Sequence, residues 1–299
     1  METFRVSGAD DGNFPRKAIC WDLMRQMSEA KHSLPRRFDL SGCVHLKPYS
    51  IACICAIGCL AKQRRQQPQL ELPTNSECRD HIVRIGLGQF FELEKSDQDI
   101  VRDTNVVARQ VTHPASAADD AMDAWERSFG SMSAGVKPEL ANHLDEIIHN
   151  ALGHSSSEIG AVMVGQAFPK TRCIDVSIVD LGVTIKGHLC SNNAYSAIAS
   201  DADAIEKATQ DGVTGTPPGK KNLLGNPNSG AGLHALRTYC ESGGGELTLV
   251  SGSAYICYRR ANSPQTVTLH QPFPGCLVNV RFFPDFSLPI EENQGIVLR

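Results

Sequence analysis

Glu146-Ile147-Ile148-His149-Asn150-Ala151-Leu152-Gly153-His154-Ser155 sets a carboxylate one helical turn ahead of a carboxamide, inside an apolar pattern of helical period. Residues four apart on a helix share a face. Glu146 and Asn150 are therefore predicted to point into one pocket. The first can take a proton, and the second can hold a hard cation through its carbonyl oxygen. By itself the pair would also suit an ordinary solvated helix face.

Further along comes Cys173-Ile174-Asp175-Val176-Ser177-Ile178-Val179-Asp180-Leu181-Gly182-Val183. Its alternation of apolar and polar residues predicts a strand closed by Asp180 and a glycine. A carboxylate at a strand end can accept a hydrogen bond from an exocyclic amine, and Gly182 lets the backbone approach a flat ring. An ordinary Asp-x-Gly turn is the plainer alternative. Then Asn228-Ser229-Gly230-Ala231-Gly232-Leu233-His234-Ala235-Leu236-Arg237 joins a glycine-containing turn to an apolar helix. Free backbone amides and the helix dipole at such a start favour an anion such as phosphate; a flexible hinge is the alternative.

Taken in this order, the three stretches resemble the nucleotide site of the GHKL superfamily: gyrase, the heat-shock chaperone, mismatch-repair ATPases, histidine kinases and the anti-sigma serine kinases. They match its N-box, its Asp-x-Gly-x-Gly box and its second glycine box. Gly243-Gly244-Gly245-Glu246-Leu247-Thr248-Leu249-Val250-Ser251-Gly252 is similar to the family's following strand. The resemblance covers roughly residues 119–283. It implies a two-layer α/β sandwich of the Bergerat type, helices on one face of a mixed sheet, binding ATP and Mg2+. Asp180 would hydrogen-bond the adenine amino group with Gly182 packed near the ring. Asn150 would ligate the magnesium, Glu146 would be the general base, and Gly230, Gly232 and the Leu233 amide would cradle the phosphates. Residues 186–229 match the ATP lid, with Lys220 and Lys221 within reach of phosphate oxygens or simply solvated.

Three positions depart from or vary within the family pattern. Thr184 stands where a second glycine is expected, placing a β-branched side chain where the backbone usually needs freedom. Gly275-Cys276 stands where Gly-Thr is common, so a hydroxyl near the base is lost. His154 occupies a place where branches of the family carry His or Lys. Thr184 and Cys276 leave nucleotide binding expected and put the rate of hydrolysis in question.

Upstream, Phe38–Val44 reads as a strand, Leu46–Tyr49 as a turn, Ser50–Ala61 as an apolar helix, Gln69–Leu72 as a strand and Cys78–Gly86 as a helix. Strand, helix, strand, helix suggests a smaller α/β layer structure. Together with Ile85-Gly86-Leu87-Gly88-Gln89-Phe90-Phe91 it resembles a STAS-like domain, in which a serine near a helix start can be phosphorylated. Ser50 sits near such a place, although an N-cap serine is the commoner role. The expected division is a STAS-like domain over 1–95, a linker over 96–118, the ATP-binding domain over 119–285 and a tail over 286–299.

The chain has 299 residues, net charge −4 and a pI near 6.2, which disfavours a nucleic-acid surface. Its first residues lack a signal-peptide shape, and Ile51–Ala61 is too short to span a bilayer. The eleven cysteines are odd in number and scattered, without a Cys-x-x-Cys pair, and read as buried thiols of a reducing, cytoplasmic compartment.

The leading expectation for function is a regulatory kinase. It would transfer the terminal phosphate of ATP to a Ser or Thr of a protein partner, STAS-like or otherwise, in a partner-switching circuit. The alternatives are an ATP-gated interaction module with little turnover, as a homodimer or with a partner, and a slow ATPase. A histidine kinase is disfavoured, since the nearest histidine, His143, falls inside the N-box helix. A gyrase-like machine is disfavoured because about fifteen residues follow Phe283.

Overall fold

In a computed structural model of the chain, the strand read at Cys173–Asp180 lies at the centre of a five-stranded sheet. Residues 2–6, 8–9, 21–91, 105–113, 117–131, 136–216, 230–260 and 262–283 are described. The sheet has the order β6(Asn105–Val111), β7(Ala161–Phe168), β8(Cys173–Asp180), β10(Gln265–Phe282), β9(Gly245–Arg259), and every pairing is antiparallel. The α/β class holds. The expected mixed sheet is corrected to an antiparallel one.

One face of this sheet carries α4(Ala117–Phe129), α5(Val136–Gly153) and α8(Gly232–Tyr239). The other face is covered too, by α1(Trp21–His32) and α2(Pro48–Gln63) from the amino-terminal region. Helices on one face only is therefore corrected to helices on both. The cause is visible in α2, whose residues from Pro48 to Ala61 are all buried. A helix apolar all round needs partners on every side. Fully burying each of Ile51, Ile54, Ile57 and Leu60 is worth roughly 2 kcal/mol. Their core continues without a break into Val162, Val164 and Val179 of the large sheet and Leu269 and Leu277 of β10. The alternation in β8 has the same consequence. Asp175 and Ser177 face α2 rather than water and are buried.

The amino-terminal elements are β1(Thr3–Arg5), β2(Gly8–Ala9), β3(Arg37–Asp39), β4(Cys43–His45), β5(Gln69–Glu71) and α3(Ser76–Arg84). β1, β3 and β5 form a parallel sheet in that order, and β2 pairs with β4. The strand expected over 38–44 is broken into β3 and β4 by the turn at Ser41-Gly42. Asn75 caps α3, its side-chain oxygen accepting from the Cys78 amide at 2.8 Å. Ser50 is not the cap of α2. Lys47 is the N-cap, Pro48 begins the helix, and Ser50, its third residue, is wholly buried.

Residues 105–111, expected within the linker, form β6 at the sheet edge, paired with β7. Val106, Ala108 and Val111 bury there, which a linker would not allow. The tail over 286–299 lies outside the described residues. Cys53, Cys55 and Cys59 are buried in α2 as the sequence suggested, and all ten described cysteines are free. Among the described residues, no helix is long and apolar enough to cross a membrane.

Arg281 anchors the far end of the sheet. It lies opposite Asp175 on β8 and Glu246 on β9, and it forks onto Asp175 at 2.7 and 2.9 Å with Glu246 at 3.4 Å. Removing one partner of a buried ion pair strands the remaining charges. Arg281→Met is expected to cost about 3 kcal/mol in urea denaturation. A loss under about 1 kcal/mol would show that Asp175 and Glu246 are solvated after all.

Candidate functional site

The pocket opens where β8 ends, between that strand end and α5. Its floor is Ile178, Leu249 and Val278, which alternate onto the α5 face of β8, β9 and β10. α5 contributes Glu146 and Asn150, four residues apart along one stripe, and His154 follows in the turn just past the helix end at Gly153, its amide donating to the Asn150 carbonyl at 3.1 Å. The opposite stripe of the helix, including Leu140, Leu144 and Ile148, is buried in the core. Among the described residues, the Glu146 and Asn150 side chains have no hydrogen-bond partner. Their acceptor capacity is turned toward the pocket.

Short links hold α5 against the end of β8. The Val183 amide donates to the Ser155 carbonyl at 2.6 Å, and the Leu181 amide to Ser157 Oγ at 3.3 Å. Gly182, expected beside the base, is not part of the pocket lining. A Cβ there would strike the Ser155 carbonyl, so the glycine serves the close approach of this turn to the end of α5. Val183 takes the place at the pocket wall.

Asp180 lies in the pocket at 3 % exposure, its Oδ1 accepting from the Gly182 amide at 2.9 Å. Burial pushes its carboxyl up to about 7, opposed by hydrogen bonds from the Gly182 and Cys276 amides and by the charge of Lys31. Cys276 pairs with Asp180 across β8 and β10 and lines the pocket, its thiol pushed far up by burial. Ser251 ties the neighbouring pieces together. It donates to the Gly275 carbonyl at 2.9 Å and accepts from the Ile185 amide at 2.9 Å.

Thr184 does not strain the backbone at this position. Its backbone is extended, with φ −66°, and it serves as N-cap of α6(Ile185–Cys190), Oγ1 accepting from the Gly187 amide at 3.1 Å. The backbone freedom of a glycine is not needed here. The stretch expected to be a long lid is partly helical. α6 and α7(Asp201–Ala208) wall the pocket with Ile185, His188, Leu189 and Ala208. Asp201 pins α7 to β9 by accepting from the Ser253 amide at 2.8 Å. Lys220 and Lys221 lie outside the described residues.

Opposite the α5 stripe, Gly230, Gly232 and Leu233 complete the lining. Gly230 has φ +68°, a conformation that favours glycine. A Cβ on Gly232 would come within 2.5 Å of the Glu146 carboxylate, so this glycine keeps the start of α8 against the catalytic candidate. The Ala235 amide donates to the Ala231 carbonyl at 2.8 Å. The amides of Gly232, Leu233 and His234 therefore precede the first internal bond of α8 at its positive end.

The three motifs thus converge on one pocket: Glu146, Asn150, His154, Asp180, Thr184, Gly230, Gly232, Leu233 and Cys276 all line it. Its cavity measures about 140 Å³ and is lined by both apolar and polar side chains. Two contributors had no signal in the sequence. His188 stacks on His154 with ring centroids 4.4 Å apart, and burial pushes it down to about 4 and His154 down as well. Lys31, on α1, reaches the back of the Asp180 turn. Comparison with known protein families, curated proteins and solved structures gives no match to this chain.

Proposed function

We propose that this chain binds ATP with Mg2+ in a GHKL-type site and transfers the terminal phosphate to a serine or threonine of a protein partner. The observation that supports the reading is the single pocket in which a buried acceptor, a pair of acceptors on one helix face and a glycine-flanked helix start meet. Each suits a different part of the nucleotide. Asp180 accepts from an exocyclic amine, with the apolar floor of Ile178, Leu249 and Val278 against the ring. The amides at the start of α8 meet phosphate oxygens. Glu146 takes the proton of the acceptor hydroxyl as attack begins.

The donor set fits a magnesium ion. Asn150 supplies a hard carbonyl oxygen beside the phosphate-facing amides, and Mg2+ is commonly bound through one or two protein oxygens plus phosphate. When bound, the ion neutralises charge on the phosphates. His154 and His188, neutral by burial, leave phosphate recognition to the amides and to Asn150.

Calorimetric titration of ATP with magnesium into the full chain tests binding, and labelled ATP incubated with the chain alone and with candidate partners tests transfer. Binding in the micromolar range with label on protein is the expected result. Free phosphate without labelled protein would make this a slow ATPase. Absence of heat at any nucleotide concentration up to about 1 mM would sink the reading.

A second reading is an ATP-gated interaction module with little turnover. It is favoured by α1 and α2, which pack on the same sheet that carries the pocket. A change at the nucleotide would be felt directly in the amino-terminal region.

A further inference from the structure

Lys31 ends α1, which lies on the side of the large sheet away from the pocket. Its ammonium donates to the Gly182 carbonyl at 3.3 Å and to the Pro274 carbonyl at 3.1 Å. The first carbonyl belongs to the turn that follows Asp180 and the second to the irregular stretch of β10 just before Cys276, and Asp180 and Cys276 are paired at the base end of the pocket. The sequence separations, 151 and 243 residues, make this a tie that only the folded chain contains. A second tie supports the first. Arg64, the C-cap of α2, donates to the Lys31 carbonyl at 3.1 Å and pairs with Glu158 at 2.9 Å, in the loop that leaves α5. One cation of the amino-terminal region thus braces both the turn after Asp180 and the β10 irregularity before Cys276, and a second braces Lys31.

We propose that Lys31 is a positioning residue, through which the amino-terminal region favours the ionised form of the Asp180 carboxylate and the pocket's selectivity for a base bearing an exocyclic amine. An ionised carboxylate only accepts hydrogen bonds, so it matches an amine and rejects a ring carbonyl. A protonated one donates and loses that discrimination. The proposal rests on the nucleotide-binding reading and names the residue that tunes the same site.

The charged and titratable neighbours are few. Lys31 on α1 and Cys276 on β10 face Asp180, while Glu158 and Arg64 face Lys31. Glu146 on α5, His154 in the turn after it and His188 on α6 line the same pocket. Burial holds both histidines below their ordinary range and the Cys276 thiol far above its own. Asp180, near 7, is therefore a lining group expected to ionise between pH 6 and 9. Burial also lowers Lys31, an effect opposed by Asp180 and Glu158.

The test uses the full chain as wild type, Lys31→Met and Lys31→Arg, with ATP and ITP titrated calorimetrically from pH 6 to 9. In Lys31→Met the pH midpoint of ATP binding is expected to rise by about one unit. At pH 7 the ionised fraction then falls from about one half to about one tenth, a roughly five-fold weaker affinity, approaching ten-fold only at lower pH. Most of the affinity should return at pH 9, and the preference for ATP over ITP should shrink near neutral pH. Lys31→Arg keeps the charge and should follow wild type. A loss in Lys31→Met that is the same at every pH would reduce Lys31 to a structural brace and overturn the proposal. A second measurement needs no nucleotide: the Asp180 carboxyl carbon is followed by NMR titration in the free proteins. Its midpoint should rise in Lys31→Met, and an unmoved midpoint overturns the proposal even if ATP binds. If ATP binds none of the proteins at any pH, the nucleotide reading fails, while the titration still decides the link between Lys31 and Asp180.

Discussion

Asp180→Asn is expected to do two opposite things: weaken ATP binding and abolish a pH dependence of stability. Burial raises the Asp180 carboxyl from its ordinary value of 3.8 to about 7 in the folded chain. The unfolded chain therefore loses this proton first as pH rises, and the folded state binds more protons between those values. Stability contributed by the protonated group is fully present below about 3.8 and is lost as pH climbs through about 7. At 1.36 kcal/mol for each unit of difference, the loss is on the order of 4 kcal/mol. Asparagine cannot ionise, so thermal melts of the mutant should be flat between pH 5 and 8 where wild type declines. Superimposable pH profiles would show that Asp180 is not the buried titrating group. In the same mutant the carboxamide cannot act as a pure acceptor toward an amine. ATP affinity should fall by about 1–3 kcal/mol, read by calorimetry near pH 8. A protein that gains stability by giving up a ligand contact is the usual signature of a residue kept for function.

Glu146→Gln should leave ATP affinity within about three-fold of wild type while removing phosphoryl transfer. The substitution keeps the shape that Gly232 accommodates, since a Cβ on that glycine would already come within 2.5 Å of the carboxylate. What it removes is the ability to take a proton, an effect typically worth about 10²–10⁴-fold in rate. Single-turnover transfer of labelled phosphate, normalised to bound nucleotide, measures it. Loss of binding with unchanged transfer per bound nucleotide would reverse the roles assigned to Glu146 and Asn150.

Much of the pocket was legible in the sequence because local rules govern its parts. Glu146 and Asn150 needed only helical periodicity to share a face, while His154 reaches the pocket from the turn that ends the helix. Asp180 needed only the end of an alternating strand, and Gly230 and Gly232 only a turn before a helix. Gly182 was legible as a glycine but not in its task. Its close partner, Ser155, sits in a different element, and no local pattern announces that contact. Thr184 looked like an intrusion because a missing glycine suggests lost backbone freedom. The residue instead adopts an extended backbone and caps α6.

The amino-terminal region misled for a related reason. An apolar helix such as α2 reads the same whether its partners belong to its own domain or to the next one. Burial on every side required the five-stranded sheet, so the separation drawn at residue 95 is crossed by one continuous core. Asn105–Val111 reads as connection in the sequence because a short edge strand carries few residues and a weak pattern.

The sequence by itself determined the α/β class, α5 and β8, and the residues that one helix face or one strand end can present, because these follow from backbone periodicity within a few turns of chain. Only the tertiary structure decided that the sheet is antiparallel and clad on both faces, that His188 stacks on His154, and that Lys31 stands behind Asp180. Those facts depend on contacts between segments as much as 243 residues apart, where side-chain spacing along the chain carries no information about proximity in space.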